Sequence, residues 1–240
     1  MMEVRELAEV DKRPQYFDSV PSQAESYDSG TREMGELYPF LICGGANTER
    51  FYFTHVNDIT EYKFNIRPRY FGNESNYTES FPKIIREILD TNNDAKVFCV
   101  FDWETVFGNN TCLKKHQDFE NQFNEEIDKG IVTICRTMPC IEYWFLLHFV
   151  DCNDFMRDYG SVANKLAPFL KPCFPDLGKP LKKIIKSEKY LRDSKWVEEL
   201  CADGKLDLAV ERAERTITAS MMVGDLENHS YSFVYLLFKR

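Results

Sequence analysis

The chain has 240 residues, of which 43% are hydrophobic and 29% charged, and its formal net charge is −9. This composition is ordinary for a soluble globular protein with a sizeable core. The acidic balance argues against a protein that coats nucleic acid through bulk positive charge, but an enzyme with one basic groove is compatible with it. No stretch approaches the roughly 18 consecutive apolar residues of a membrane span, and the first residues lack the apolar core of a signal peptide. We therefore expect a cytoplasmic protein with no membrane partner.

The eight cysteines have no spacing typical of a metal site. There is no CxxC pair, and several cysteines lie inside apolar runs. In a cytosolic chain such residues are usually small core side chains. The spacing therefore favours free thiols over a structural zinc site.

The chain divides into three predicted parts. Residues 1–35 are polar and rich in turn formers, which predicts a flexible N-terminal arm. An α/β core is expected over residues 36–150. A mainly helical extension, packed on that core, is expected over residues 151–240.

Apolar runs and helical patterns alternate through the predicted core. Strands are predicted at Leu37–Cys43, Phe64–Tyr70, Val97–Phe101 and Ile131–Cys135. Pro68 indicates an edge position or an irregular end for the second of them. Helices are predicted at Glu49–Asp58, Tyr77–Leu89, Leu113–Asp128 and from Pro139 to Phe149. This alternation predicts an open α/β sheet with parallel strands.

The last ninety residues are predicted to be mainly helical. The candidate helices are Phe155–Phe169, Lys179–Ser187 and Leu206–Ser220. The apolar, aromatic end, Ser230–Phe238, fits either a strand or a short packed helix.

Two carboxylates follow the third predicted strand. Ligands of open α/β sheets bind at the carboxyl ends of the strands. Asp102 and Glu104 would lie there, two residues apart and pointing the same way if the chain stays extended. This arrangement predicts a site for Mg²⁺ or Mn²⁺. The alternative is a helix cap or a solvated loop.

Further stretches could contribute to the same edge of the sheet. The Gly44-Gly45 turn before a helix that contains Glu49 is either an anion site or only a tight turn. Glu142, in the first turn of an apolar helix, either complements the helix dipole or faces the same edge as Asp102, together with Arg136. His148, on the same helix, is expected to be a hydrogen-bonded core group.

Five lysines lie close together in the predicted extension. They form either a solvated helix face or a surface that binds phosphates. These residues are Lys179, Lys182, Lys183, Lys186 and Lys189.

Several of these motifs resemble the RloB-like family of bacterial defence proteins, which includes abortive-infection components and has a Toprim-type fold. The family's Cys-Glu-Gly turn, Thr-Glu pair and aromatic pair correspond to Cys43-Gly44-Gly45, Thr48-Glu49 and Tyr52-Phe53. Its Phe-Asp-x-Asp strand end corresponds to Phe101-Asp102-Trp103-Glu104. Its Pro-x-x-Glu-x-Trp-x-Leu-Leu-His-Phe helix, the most specific of these motifs, corresponds to Pro139–Phe149. The resemblance covers residues 36–240.

The resemblance implies a Toprim-like sheet with helices on both faces and a metal-dependent nuclease activity in antiphage defence. The substrate would be RNA, including tRNA, or DNA, and the partner would be an ATPase of the same system. Whether the chain forms a homo-oligomer is left open. Asp102 and Glu104 would hold Mg²⁺ or Mn²⁺, and Glu142 and Glu49 are candidate catalytic carboxylates. The candidate nucleic-acid contacts are Lys182, Lys183, Lys186 and Arg136.

The sequence departs from the family pattern at Gly44, where the family has glutamate. Glycine cannot transfer a proton or hold a metal, and loss of a general acid or base typically costs about 10²–10⁴-fold in rate. The chain would be an engineered inactive variant, a natural pseudoenzyme, or an enzyme whose site is completed by Glu49 and Glu142. The alternative function is a catalytically silent module that binds a partner ATPase or nucleic acid. A phosphatase or nucleotidyl-transfer role is a third interpretation.

Overall fold

The computed structural model describes residues 38–45, 47–67, 77–175, 178–222 and 224–239. The predicted N-terminal arm, residues 1–35, lies outside the described residues, as do the last residues of the predicted second strand.

Within the described residues, five strands form one sheet. They are β1 (Phe40–Cys43), β2 (Asn65–Arg67), β3 (Val97–Asp102), β4 (Val132–Met138) and β5 (Tyr231–Ser232). Their order is β2-β1-β3-β4-β5. The first four are parallel, and β5 runs antiparallel to β4. The predicted open, mostly parallel α/β sheet is therefore confirmed.

Helices cover both faces of this sheet. In chain order they are α1 (Thr48–Ile59), α2 (Tyr77–Thr91), α3 (Asn110–Gln122), α4 (Asn124–Asp128), α5 (Ile141–Leu147), α6 (Tyr159–Leu170), α7 (Leu181–Ile184), α8 (Glu188–Leu191), α9 (Lys195–Cys201) and α10 (Lys205–Met222). The connection from β1 to β2 runs in one direction across the sheet, and the connections through α2 and α3 run in the other. Because parallel crossovers are right-handed, α1 covers one face, while α2 and α3 cover the opposite face. None of the helices in the described ranges is long and apolar enough to cross a bilayer.

The predicted elements differ from the structure mainly in the second half of the chain. The single helix predicted over residues 113–128 is interrupted at Phe123, which separates α3 from α4. The lysine-rich helix predicted over residues 179–187 is reduced to the single turn α7. The apolar end adopts both predicted conformations in succession, because β5 pairs with β4 and the next residues, Phe233–Leu237, form a 3₁₀ helix.

The main aromatic core lies between α1 and α5. Tyr52 and Phe53 from α1 and Trp144 and Phe145 from α5 are fully buried. The indole Nε1 of Trp144 donates a hydrogen bond to the Tyr52 hydroxyl over 2.8 Å. Because the two polar groups bond to each other, this hydrogen bond offsets the cost of removing them from water where the helices pack. All eight cysteines are free, and most are buried.

The sheet has a topological switch point between β1 and β3. The chain leaves β1 towards β2 on one side and leaves β3 towards β4 on the other side. The crevice at the carboxyl ends of two such strands is the usual ligand site of an open α/β sheet. Cys43 and Asp102, the last residues of the two strands, border that crevice.

Candidate active site

Asp102 joins the end of β3 to the beginning of α5. Its Oδ1 accepts a hydrogen bond from the backbone N–H of Ile141 over 2.8 Å. The residue before α5, Cys140, provides no side-chain cap of its own. A carboxylate from a neighbouring strand therefore satisfies an N–H group that the helix leaves unpaired, and it suits the positive end of the helix dipole.

Glu142 is a fully buried carboxylate in the first turn of α5, with 0% exposure. The ammonium of Lys186 lies 2.7 Å from its Oε1. Apart from this ion pair, neither carboxylate oxygen accepts a hydrogen bond of ordinary geometry from the described residues. A buried carboxylate is costly unless it is fully paired, so Glu142 has unused capacity to bind a cation or a donor.

Glu49 reaches the same crevice from the first turn of α1, where it is 4% exposed. Its carboxylate lies directly over Gly45, where an added Cβ would overlap the carboxylate atoms. Burial raises the pKa of Glu49; Lys186 opposes the rise, and the charge of Glu142 adds to it. The helix position of Glu49 therefore does not keep its carboxylate away from the crevice.

Asp102, Glu49 and Glu142 act on one another electrostatically, and we call them the carboxylate cluster. Burial, followed by the charges of Glu49 and Glu142, raises the pKa of Asp102 well above its usual range, and Lys186 opposes the rise. Three carboxylates thus share one ammonium at the switch point. Groups whose charge is this strongly opposed by burial and by like charges are typical of functional sites.

Two contacts position Lys186, one to the backbone of the residue before it and one to its ammonium. The Thr48 hydroxyl, at the start of α1, donates to the carbonyl of Ile185 over 3.0 Å. The ammonium lies 4.6 Å from the centre of the Tyr159 ring. Burial alone would lower the pKa of Lys186, but Glu142, Asp102 and Glu49 together raise it above its ordinary value. The lysine is therefore the resident positive charge of the carboxylate cluster.

Glu104 lies at the rim of the cluster, near Glu142 and Lys186. The strand ends at Asp102, and Trp103–Thr105 form a 3₁₀ turn, so the two-residue alternation of an extended chain does not apply. The Oε2 atom of Glu104 accepts a hydrogen bond from the N–H of Tyr159 over 3.0 Å. Burial raises the pKa of Glu104, the Tyr159 N–H opposes that rise, and Glu142 adds to it.

The profile of the RloB-like protein family matches residues 40–240. The chain belongs to the RloB-like family. No curated protein and no solved structure matched the chain. The matched range of this RloB-like protein includes all three carboxylates of the cluster and Lys186.

Gly44, where the motif resemblance predicts the family's glutamate, does not face the cluster. A Cβ at this position would lie 3.1 Å from the Cβ of Phe101. Phe101 and Asp102 are successive strand residues, so their side chains project from opposite faces of the sheet. A side chain at position 44 would therefore begin on the face opposite Asp102.

The basic residues predicted to bind nucleic acid occupy different parts of this RloB-like protein. Lys182 and Lys183 are exposed on α7, close in sequence to Lys186. Arg136 is the register partner of Phe101, so its side chain projects from the face opposite Asp102. Its guanidinium lies 4.4 Å from the centre of the Trp103 ring. Arg136 and Trp103 border a pocket of about 400 Å³ that does not include the carboxylate cluster.

The donor set of the cluster suits a divalent cation, and the Lys186 ammonium lies among the carboxylates where such a cation would bind. Carboxylate oxygens are the ligands that Mg²⁺ and Mn²⁺ prefer, and Glu142 has lone pairs to spare. In the described part of the chain, however, no three His, Cys, Asp or Glu side chains are close enough together to hold a metal ion. The carboxylates are arranged around the Lys186 ammonium instead.

Sequence reasoning missed two features of the site. It treated Gly45 only as part of a tight turn or an anion site, and did not connect it with Glu49 four positions later, whose carboxylate occupies the space a side chain at position 45 would need. It assigned Lys186 to phosphate binding together with its exposed neighbours. The apolar pair Ile184-Ile185, both fully buried, was the signal that this part of the lysine run turns inward.

Proposed function

We propose that this chain is a metal-dependent nuclease, the effector of an antiphage defence system, and that the carboxylate cluster is its active site. The observation that carries the proposal is the grouping of two buried carboxylates, Glu49 and Glu142, and the partly buried Asp102 with a single counter-charge at the topological switch point. Such a cluster is costly to the fold, and a site for a cation explains why the protein contains it.

Glu49, Asp102 and Glu142 would hold Mg²⁺ or Mn²⁺, with Glu104 at the rim. The metal would supply activation of a water molecule and stabilisation of charge on the transferring phosphoryl group. The chain itself orients the carboxylates, since Asp102 is fixed by the Ile141 N–H and Glu49 by its contact with Gly45. In this proposal, Glu49 replaces the family's glutamate at position 44, which favours a shifted site over a pseudoenzyme or an inactivated variant.

The substrate would be RNA, including tRNA, or DNA. Lys182 and Lys183 are exposed beside the segment that carries Lys186, which supports a role in binding phosphates there. Arg136 projects from the other face of the sheet, so it would contact a different part of a nucleic acid or none. The partner ATPase and the cytoplasmic location remain predictions.

Cleavage of labelled RNA and DNA in the presence of Mg²⁺ or Mn²⁺ tests the proposal. Asp102→Asn and Glu142→Gln are expected to lower the rate by about 10²–10⁴-fold. Glu125→Gln, at an exposed glutamate of α4, is the matched control and should retain the rate. Cleavage that survives Asp102→Asn would refute the assignment of the site.

A catalytically silent module that binds a partner ATPase or nucleic acid is the second candidate. It is favoured by one observation, namely that the described carboxylates are not spaced to chelate a metal. Cleavage that appears only after Gly44→Glu, which restores the family residue, would mark an inactivated enzyme. If neither the chain nor a folded Gly44→Glu variant cleaves nucleic acid with any divalent metal, the chain binds no Mn²⁺, and the partner binds tightly, the silent module is correct.

A further inference from the structure

Lys186 occupies the position in which a cation would be needed. Its ammonium contacts Glu142 at 2.7 Å and acts electrostatically on Asp102 and Glu49. An ammonium and a divalent cation are attracted by the same carboxylates and repel each other at close range. A metal that takes Oε1 of Glu142, the atom now paired with Lys186, therefore has to displace the ammonium.

We infer that Lys186 is an exchangeable internal cation: it neutralises the carboxylate cluster in the metal-free protein, and a divalent metal displaces it. This inference rests on the proposed function, because it concerns the same site. It assigns Lys186 a role different from that of its neighbours Lys182 and Lys183, which face solvent.

The side chain has room to move. It is 42% exposed as a whole, although its ammonium contacts a fully buried carboxylate. The displaced ammonium could therefore swing towards solvent on its flexible four-carbon stem, while the backbone stays fixed through the bond from Thr48 to Ile185. In its present position the ammonium also contacts the π face of the Tyr159 ring, and a displacing metal has to overcome this contact as well.

The exchange would couple metal binding to substrate binding. When it leaves the cluster, the ammonium enters the neighbourhood of Lys182 and Lys183 and becomes available to a phosphate. Before exchange, Lys186 is bound to Glu142 and unavailable. Metal loading would thus create both the reactive centre and an additional phosphate contact, and it would keep the metal-free protein stable until then.

Metal binding to the full chain tests the exchange without any measurement of activity. Isothermal titration calorimetry with Mn²⁺ would compare the chain with Lys186→Met, which keeps the length and removes the charge. Lys189→Met is the matched control, since Lys189 is an exposed lysine of α8 outside the cluster. We expect Lys186→Met to bind Mn²⁺ roughly 10–100-fold more tightly, because the competing like charge is gone, and the control to bind like the unmodified chain.

The melting temperature gives a second readout. Without metal, Lys186→Met should have a lower melting temperature than the unmodified chain, because the three carboxylates then lie together without a counter-charge, and Mn²⁺ should restore the melting temperature. If Lys186→Met does not fold, the unmodified chain labelled with ¹³C at lysine Cε is titrated with Mg²⁺ instead. The Lys186 signal should move towards that of a solvent-exposed lysine.

The outcomes separate the two proposals. Equal or weaker Mn²⁺ binding by a folded Lys186→Met, or an unchanged Lys186 signal while Mg²⁺ binds, would overturn the exchange and leave the metal site in place. Absence of Mn²⁺ binding by both the chain and Lys186→Met would overturn the exchange and the metal-dependent function together.

Discussion

At the scale of single residues, Gly45 decides which carboxylate enters the site. The Glu49 carboxylate occupies the space that a Cβ of residue 45 would take. Gly44, directly before it, faces Phe101 on the other side of the sheet. Two adjacent glycines of the same turn therefore have different functions, the first allowing close packing on β3 and the second admitting the Glu49 carboxylate.

Gly45→Ala is expected to displace Glu49 from the cluster, because the new methyl group and the carboxylate cannot share the space. Under the proposed function, cleavage should fall by about 10²–10⁴-fold, as for Glu49→Gln. Cleavage rates and Mn²⁺ affinity check this prediction.

Gly44→Ala is the matched control for that substitution. Its methyl group meets the Cβ of Phe101 at 3.1 Å, so overpacking should lower stability by about 1–3 kcal/mol while Mn²⁺ affinity is retained. Full activity of Gly45→Ala would show that Glu49 does not need its present position.

At the scale of elements, α5 is fastened at both ends. Asp102 binds its first N–H group. At its other end the Nδ1 of His148 lies 2.7 Å from the carbonyl oxygen of Leu200 in α9, and Arg212 donates to the carbonyl of Leu147 over 2.7 Å. The helix that carries Glu142 is thus held by the sheet and by the C-terminal helices together, and this restraint positions a carboxylate that has few bonds of its own.

Burial of His148 makes the free energy of unfolding depend on pH. Burial lowers its pKa to about 3, opposed by its bond to the Leu200 carbonyl. In the unfolded chain the imidazole takes up a proton near pH 6.5, so the unfolded state binds more protons between the two values. The contribution of neutral, buried His148 to the free energy of unfolding is therefore complete above about pH 6.5, and it is lost as the pH falls towards 3.

His148→Gln should reduce this acid sensitivity, by up to about 1.4 kcal/mol per pH unit between pH 6.5 and 3. Urea unfolding at several pH values measures the slope. His229→Gln, at a half-buried histidine near the C-terminus, serves for comparison. An unchanged slope in His148→Gln would mean that folding does not lower the pKa of His148.

At the scale of the whole molecule, the C-terminal segment completes the domain. Ser232 of β5 and Thr137 of β4 are joined by a buried hydrogen bond of 2.9 Å between their hydroxyls. Phe238 stacks on Trp144, with ring centres 5.6 Å apart, and its carbonyl accepts a hydrogen bond from the Tyr62 hydroxyl. The last residues of the chain thus pack on the beginning and on the middle of the core.

Phe238→Ala should destabilise the protein by about 3–5 kcal/mol, because it removes a buried ring from this junction. Phe155→Ala, at a phenylalanine that is 43% exposed, should cost much less. Chemical denaturation of the two variants gives the comparison. Equal effects would contradict the structural role of the C-terminal segment.

The sequence by itself determined the class of fold and the stretches that form the site. Apolar runs such as Val97–Phe101 specify buried strands because their continuous hydrophobic surface must be covered on both faces, and the periodic pattern of α2 specifies a helix. The Gly44-Gly45 turn, Asp102 and the Glu142 helix could all be assigned to one edge of the sheet, because parallel strands end together.

Only the tertiary structure decided which side chains meet there. Strand register sends Arg136 and Asp102 to opposite faces, and the 3₁₀ turn after β3 directs Glu104 towards α6. Lys186 reaches the cluster through contacts between residues 137 positions apart, such as Thr48 and Ile185. Contacts over such distances depend on how the C-terminal helices pack on the core, and local patterns carry no information about that packing.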